Sequence, residues 1–228
     1  MRLSILFSGG KDSTYAMYLM EQQGHQVETL VSVIPSEKDS WLFHTPNLNL
    51  LPLQAMAMQK RLLRVPSQGS EEGDLQALHQ ALSGLEVDGF VAGAIASDYQ
   101  WDRINGVCET LGLRLFSPLW RKDQGMLMRD MVEAGIEAMM VAVSAEGLGN
   151  EWLGRTIDAE AVEQLELLSA QAGVNISGEG GEYETLVIDS PMHDSCLEIV
   201  ETEKEVTRDG GRLVVRKARL RGEDDDAA

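Results

Sequence analysis

Near its start the chain carries Ser8-Gly9-Gly10-Lys11-Asp12-Ser13, set directly between an apolar run at residues 3–7 and a helix-like stretch at residues 14–23. A strand that passes through a glycine turn straight into a helix commits this region to a parallel sheet wrapped by helices. Two glycines let the backbone take positive φ and come close to a ligand. The first N–H groups of the helix, with its dipole, offer an anion site. Lys11 adds a point charge for phosphate, Ser8 and Ser13 offer hydroxyls to phosphate oxygens, and Asp12 suits a hydrated magnesium ion. The loop is not a Walker A motif, which needs glycine where Ile5 stands and Ser or Thr where Asp12 stands. The reading without chemistry is an ordinary tight turn capped by serine.

From residue 1 to about 145, short apolar runs alternate with helical patterns, as in an α/β domain. Strands are expected at residues 3–7, 27–34, 61–65, 89–93, 114–116 and 138–143, and helices at 15–23, 50–59, 74–83, 101–111 and 124–134. Ligands of such sheets bind at the carboxyl ends of the strands. That rule selects residues 8–13, the stretch after Ile34, and Gly93-Ala94-Ile95-Ala96-Ser97-Asp98-Tyr99-Gln100. Residues 35–49 hold two prolines, a tryptophan and His44 without periodicity, and read as a long loop near the ligand edge. A lone histidine such as His44 is more often a structural hydrogen-bonder than a catalyst.

After residue 143 the alternation changes character. A short amphipathic piece at 148–155 precedes a helix at 158–172 with Asp158 as its cap. Strands follow at 186–189, 197–206 and 212–220, the last two joined by an Asp209-Gly210-Gly211 turn. The expected organisation is a nucleotide-binding domain at 1–145, a smaller α+β substrate domain at 146–222 and an acidic disordered tail at 223–228. Between helix and strands lies Gly178-Glu179-Gly180-Gly181-Glu182-Tyr183-Glu184-Thr185, three glycines among three carboxylates, a run that local helix or strand stability does not favour. Its acids suit binding of a cation, coordination of magnesium or general-base work toward an amine. A solvated glycine-rich loop is the alternative.

The chain has 228 residues, 43% hydrophobic and 25% charged, enough for a full domain and a smaller one, and no apolar run approaches the ~20 residues of a membrane helix. Met1-Arg2-Leu3 runs at once into the first strand, which argues against a signal peptide, so the cytoplasm is the expected compartment. Cys108 and Cys196 are the sole cysteines, with no zinc-type spacing. Cys108 sits in a helical pattern and reads as a small hydrophobe rather than as half of a sulfur-transfer pair. A formal net charge of −18 disfavours non-specific binding to nucleic acid or to anionic membranes.

The loop at 8–13 resembles the pyrophosphate (PP) loop of the N-type ATP pyrophosphatases, which cleave ATP between the α and β phosphates. The implied fold is adenine nucleotide alpha-hydrolase-like, of the HUP/Rossmann-like kind. Further motifs narrow the resemblance: Phe43-His44-Thr45-Pro46-Asn47, Gly93-Ala94-Ile95 with Ser97-Asp98-Tyr99-Gln100 and Arg103, Ser117-Pro118-Leu119-Trp120, Trp152-Leu153-Gly154-Arg155, and the run at 178–185. Together these resemble the diphthine–ammonia ligase family over residues 1 to about 200, with the run at 178–185 the most specific element. His193 departs from the pattern where a bulky apolar residue is expected, and the strands beyond Val200 carry little resemblance.

The resemblance implies an enzyme acting on translation elongation factor 2, in which a modified histidine carries a carboxylate and a trimethylammonium group. ATP would adenylate the carboxylate, and ammonium would supply the amide nitrogen, leaving AMP and pyrophosphate. Lys11 and Asp12 would act with Glu182 and Glu184 in catalysis, Asp12 also as a magnesium ligand. Ser8, Gly9, Gly10, Ser13, Gly93, Ala94, Ile95 and Arg103 would hold ATP. His44, Ser97, Tyr99, Gln100, Glu179, Gly180, Gly181, Tyr183 and Thr185 would meet the substrate, with Trp101 or Trp120 near its cation. No glutaminase domain and no paired cysteine motif is evident, which favours free ammonium and argues against thiolation. The expected partners are the protein substrate and ammonium, without membrane or nucleic acid, and a homodimer is compatible. The competing readings are another PP-loop enzyme that adenylates a small metabolite or tRNA for amidation or thiolation, and a nucleotide-binding module without chemistry.

Overall fold

A computed structural model of the chain describes residues 1–35, 47–68, 70–207 and 210–222. The described residues fall into two compact units, one drawn from Met1–Leu48 and Lys60–Lys122, the other from Asn49–Gln59 and Asp123–Ala228.

The first unit is a five-stranded sheet in the order β3-β2-β1-β4-β5, formed by β1 (Arg2–Leu6), β2 (Gln26–Pro35), β3 (Arg61–Ser67), β4 (Gly89–Val91) and β5 (Arg114–Phe116). All four pairings are parallel. A parallel strand covered on both faces reads as a continuous apolar run, and Leu3 and Ile5 of the central β1 are wholly buried. Each such side chain contributes about 1.5–3 kcal/mol on leaving water. Helices α1 (Lys11–Gln22), α3 (Glu71–Ser83) and α4 (Asp98–Thr110) wrap the sheet. Val31, Val33 and Phe90 from the strands meet Leu78 and Leu82 of α3 and Ile104 and Cys108 of α4 in one core cluster. The strand order reverses between β1 and β4, so the crevice at their carboxyl ends is the expected ligand position.

The second unit holds an antiparallel sheet in the order β7-β6-β9-β8, from β6 (Glu137–Val143), β7 (Tyr183–Asp189), β8 (Leu197–Thr207) and β9 (Gly210–Leu220). It also contains α2 (Leu51–Ala57), α5 (Gln124–Glu133) and α6 (Ala159–Ala172). Asp158 caps α6 as its sequence position predicts, accepting from the Ala161 N–H at 2.8 Å. Among the described residues no helix is long and apolar enough to cross a membrane.

Two expectations need correction. The strand expected at 138–143 does not extend the parallel sheet; it is β6, the inner strand between β7 and β9. Four consecutive residues, Ala138 to Val141, are buried in it, and a strand covered on both faces has the same apolar signature whichever way its neighbours run. The helix expected at 50–59 is α2, which belongs to the second unit. Its Gln54 side-chain N–H donates to the Val187 carbonyl at 2.8 Å, and Ala57 packs with Leu197 and Leu220. The units therefore divide at Lys122 and Asp123, with 49–59 assigned to the second, rather than near residue 145. The acidic tail and Asp209 lie outside the described residues.

Candidate active site

The loop after β1 is folded by its own hydroxyls. Gly9 takes φ 78°, in the left-handed region that favours glycine. Ser8 Oγ and Ser13 Oγ lie 3.1 Å apart, the Ser8 N–H donates to Ser13 Oγ at 3.3 Å, and the Gly10 N–H donates to Ser8 Oγ at 3.3 Å. The Ser13 and Thr14 hydroxyls donate to the Gly10 carbonyl at 3.2 and 2.9 Å. Serine chemistry thus shapes the turn. The N-cap of α1 is Gly10, and no side chain caps that helix end. Helices α3, α4, α5 and α6 are capped by Ser70, Ser97, Asp123 and Asp158, whereas α2, like α1, has no side-chain cap. A helix start without a side-chain cap turns the positive end of its dipole toward an anion.

Lys11 is the cation of the α1 start, beside Asp12. Its side chain is 4% exposed, and Nζ donates to both carboxylate oxygens of Asp12 at 2.9 Å. Gly93, following β4, closes the other side of the turn. A Cβ placed on it would stand 2.8–2.9 Å from the Asp12 carbonyl carbon, the Asp12 oxygen and the Ser13 nitrogen. The two loops at the point of strand reversal are therefore in backbone contact, and only glycine permits it. Ala94 and Ile95 are core residues, and the Ile95 carbonyl accepts from the Arg121 N–H at 2.7 Å.

At the start of α4, Ser97 Oγ accepts from the Gln100 N–H at 3.3 Å, so this pair forms the cap. Tyr99 and Arg103, assigned separately by sequence, meet on one acid. The Tyr99 hydroxyl and Arg103 Nε both donate to Glu71, in the first turn of α3, and the Arg103 guanidinium lies 3.4 Å from the Tyr99 ring centroid. Hydrogen bonds from Tyr99 and then Arg103 hold the Glu71 carboxyl below its ordinary range. Glu71 raises Tyr99 in turn. Sequence reasoning missed Glu71, because an acid just after Ser70 reads as a helix-start residue. Close by in the chain, Trp101 and Trp120 stack with centroids 5.7 Å apart. His44 lies outside the described residues.

The run at 178–185 passes from loop into strand, since β7 begins at Tyr183. Gly178, Gly180 and Gly181 have φ of 74°, 81° and 77°. Asn175, also missed, organises the turn: its Oδ1 accepts from the Ser177 N–H at 3.1 Å, the Ser177 hydroxyl at 2.9 Å and the Glu179 N–H at 3.1 Å. Glu182 reaches back, its Oε2 accepting from the Asn175 N–H at 2.6 Å. Tyr183 is buried, and its hydroxyl donates to the Ile176 carbonyl at 2.6 Å. Ser144, just past β6, donates its N–H to the Glu182 carbonyl at 2.8 Å and its hydroxyl to the Gly181 carbonyl. Glu182 and Tyr183 thus hold the loop's shape. Glu184 pairs in register with Ala142, and Thr185 is buried on β7. Glu179, Glu182 and Glu184 are all half-buried.

Sulfur chemistry finds no support at Cys108. It is wholly buried, and burial pushes its thiol up to about 11, so the nucleophilic thiolate is suppressed.

Comparison with known proteins bears on the same residues. The family model described as the diphthamide synthase N-terminal domain matches residues 1–115, and that of the C-terminal domain matches residues 123–220. The chain belongs to the diphthamide synthase family. Among curated relatives, the human diphthine–ammonia ligase is 34% identical over 96% of this chain and 86% of its own length, and the Danio rerio diphthine–ammonia ligase 36% over 92% and 90%. A solved structure titled as a predicted subunit of tRNA methyltransferase from Methanocaldococcus jannaschii aligns over 84% of this chain and 98% of its own at TM-score 0.45 and 15% identity, too slight a likeness to bear on function. The C-terminal model begins at residue 123, where the second compact unit resumes. It runs to residue 220, through the strands beyond Val200 in which the motifs alone show little resemblance.

Proposed function

We propose that the chain is an ATP-dependent ligase that converts diphthine on translation elongation factor 2 to diphthamide, with ammonium as nitrogen donor and AMP and pyrophosphate as products. The observation that carries this reading is the glycine turn into α1, with Gly9 at positive φ, a glycine N-cap without a side-chain cap and the buried Lys11, in a chain whose relatives are diphthine–ammonia ligases. These residues fit a polyphosphate: small, donor-rich and cationic.

A carboxylate is a poor acyl donor because its oxygen leaves badly. Attack of that carboxylate on the α-phosphorus forms an acyl–phosphate bond, breaks the bridging bond to the β-phosphate and releases pyrophosphate. Ammonia, formed when ammonium loses a proton, then attacks the acyl carbon, and AMP leaves with the bonding pair. Lys11 and the α1 amides stabilise charge growing on the departing pyrophosphate, a contribution of about 10²–10³ in rate for one well-placed donor. Magnesium, when bound, would supply further charge neutralisation. A single carboxylate, Asp12, suits an ion held chiefly by water and phosphate oxygens, and no cluster of three acidic, His or Cys ligands occurs among the described residues.

In this reading Gly93, Ala94 and Ile95 shape the nucleotide side, while Arg103 and Tyr99, tied to Glu71, border it. Glu179 and Glu184 serve the substrate, on a loop held by Glu182 and Tyr183. The cytoplasm, where the elongation factor works, is the compartment the reading requires, and a homodimer is compatible with it.

The test is single-turnover incubation with ATP, magnesium, ammonium and elongation factor 2 arrested at diphthine. AMP is followed by chromatography and the modified peptide by mass spectrometry. A carboxyl-to-amide mass change matched by AMP is expected. AMP without that change would assign another acceptor, and neither product would remove the ligase reading.

A further inference from the structure

Trp101 lies in the first turn of α4 and Trp120 in the turn that follows β5, so both stand at the carboxyl edge of the parallel sheet. Their rings are 29° from parallel at 5.7 Å. Beside them, the Arg121 guanidinium lies 5.5 Å from the Trp120 ring centroid, and its Nη2 donates to Asp98 Oδ1 at 2.9 Å. Arg121 has φ 54°, in the left-handed region that a residue with a side chain enters only when its surroundings hold it there. Its N–H is pinned to the Ile95 carbonyl at 2.7 Å. A strained backbone therefore presents a cation to an aromatic face and a carboxylate. The side chains of Arg121 and Asp98 are 66% and 68% exposed, so this ion pair is one that another cation can displace.

We propose that Trp101, Trp120 and Asp98 form an organic-cation subsite for a quaternary ammonium group, and that Arg121 is its resident cation, displaced when the ligand arrives. The inference rests on the function proposed above and names the part of the substrate read here, the trimethylammonium group. Such a group donates no hydrogen bond, so its recognition falls to aromatic faces and a carboxylate's charge. The same chemistry discriminates against ammonium, the nitrogen donor, which keeps its water more strongly. Arg121 occupies the aromatic face in the absence of substrate and so keeps the tryptophans from presenting a bare apolar patch.

The test uses the full chain and tetramethylammonium chloride, with sodium chloride matching ionic strength, read by tryptophan fluorescence. Saturable quenching is expected in the unaltered chain. Arg121→Gly removes the competing guanidinium and suits the positive φ, so affinity should rise about three- to fivefold, the scale of one exposed cation–aromatic contact. Trp120→Leu should abolish the saturable change. Absence of saturable quenching in Arg121→Gly, or its persistence in Trp120→Leu, would overturn the subsite. Amidation by the unaltered chain is measured on the same preparation and separates the two ideas. Amidation that tetramethylammonium does not inhibit removes the subsite and leaves the ligase, whereas binding without amidation of any diphthine substrate keeps the subsite and removes the ligase.

Discussion

The loop at 8–13 places one glycine at positive φ and the loop at 178–185 three, and both fold on internal hydrogen bonds, yet they expose different groups. In the first, the Ser8, Ser13 and Thr14 hydroxyls shape the turn, and the start of α1 carries a glycine cap and a buried lysine. In the second, an amide side chain and a carboxylate clasp each other's segment, with Asn175 gathering Ser177 and Glu179 while Glu182 holds Asn175. One turn is finished by what it lacks, a capping side chain; the other is closed on itself. A glycine-rich motif therefore does not by itself mean a ligand-gripping loop, and the two should respond differently to the loss of a single group.

The largest expected effect is Lys11→Met. It removes the cation from the first loop at nearly constant shape, and the rate of AMP formation with the protein substrate should fall about 10²–10³-fold, as for loss of one charge-stabilising donor. The melting temperature should move little, because Asp12 is 35% exposed and can take water in place of the ammonium. A large loss of stability with unchanged single-turnover rate would make Lys11 structural and erase the contrast between the loops.

Gly178→Ala should act on folding instead. Alanine there meets both the positive φ and the Tyr183 ring 2.9 Å from its Cβ, whereas at Gly181 it meets the φ alone, with nothing within 4 Å. Strain of the left-handed region costs about 1–2 kcal/mol for a residue with a Cβ, and overpacking adds about 1–3 kcal/mol. Denaturant unfolding of the two variants should therefore differ by the packing part, with Gly178→Ala the less stable. Equal costs would mean that the tyrosine ring yields freely and does not set the loop's shape.

Glu182→Ala is expected to be milder, about 1.5–3 kcal/mol for the lost charged hydrogen bond if the amide finds no water. Its signature is faster hydrogen exchange at Asn175, Ser177 and Glu179, with KM for the protein substrate raised and KM for ATP unchanged. Glu182→Gln keeps an acceptor and should restore most of the protection. Failure of glutamine to do so would show that the charge at Glu182, rather than the clasp, is what the site needs.

The first loop was legible because its signal is contiguous: strand, glycines, lysine and helix follow one another within a dozen residues. The central strands were legible because burial on both faces leaves an unbroken apolar run. The same reasoning misplaced β6, since an apolar run carries no direction, and it assigned α2 to the wrong unit because amphipathic spacing does not say which surface the helix covers. Glu71 and Asn175 were invisible for another reason. Glu71 meets Tyr99 and Arg103 across about thirty positions of sequence, and Asn175 precedes the motif it organises and has no periodicity of its own. The burial of the Tyr183 ring against Gly178 was likewise not legible, because nothing in a run of glycines and acids says which way the ring turns.

The smallest effect separates the regions by pH. His193 stands in the turn after β7, with Ser190 Oγ 2.6 Å from Nδ1 and a buried Nε2 that finds no partner among the described residues. Ser190 Oγ already accepts from the Met192 N–H at 3.3 Å, so its hydroxyl is best used as donor to an unprotonated Nδ1. Burial pushes the imidazole pKa below its ordinary value, with the Asp189 carboxylate opposing that shift. A group harder to protonate in the fold binds fewer protons there than in the unfolded chain, so its share of stability is present above the ordinary imidazole range and is lost as pH falls through it. The urea midpoint of the unaltered chain should therefore drop more between pH 7.5 and 5.5 than that of His193→Leu. Parallel pH profiles for the two chains would show that the turn accepts the imidazolium without penalty, and that the departure from the apolar residue expected there has no electrostatic cost.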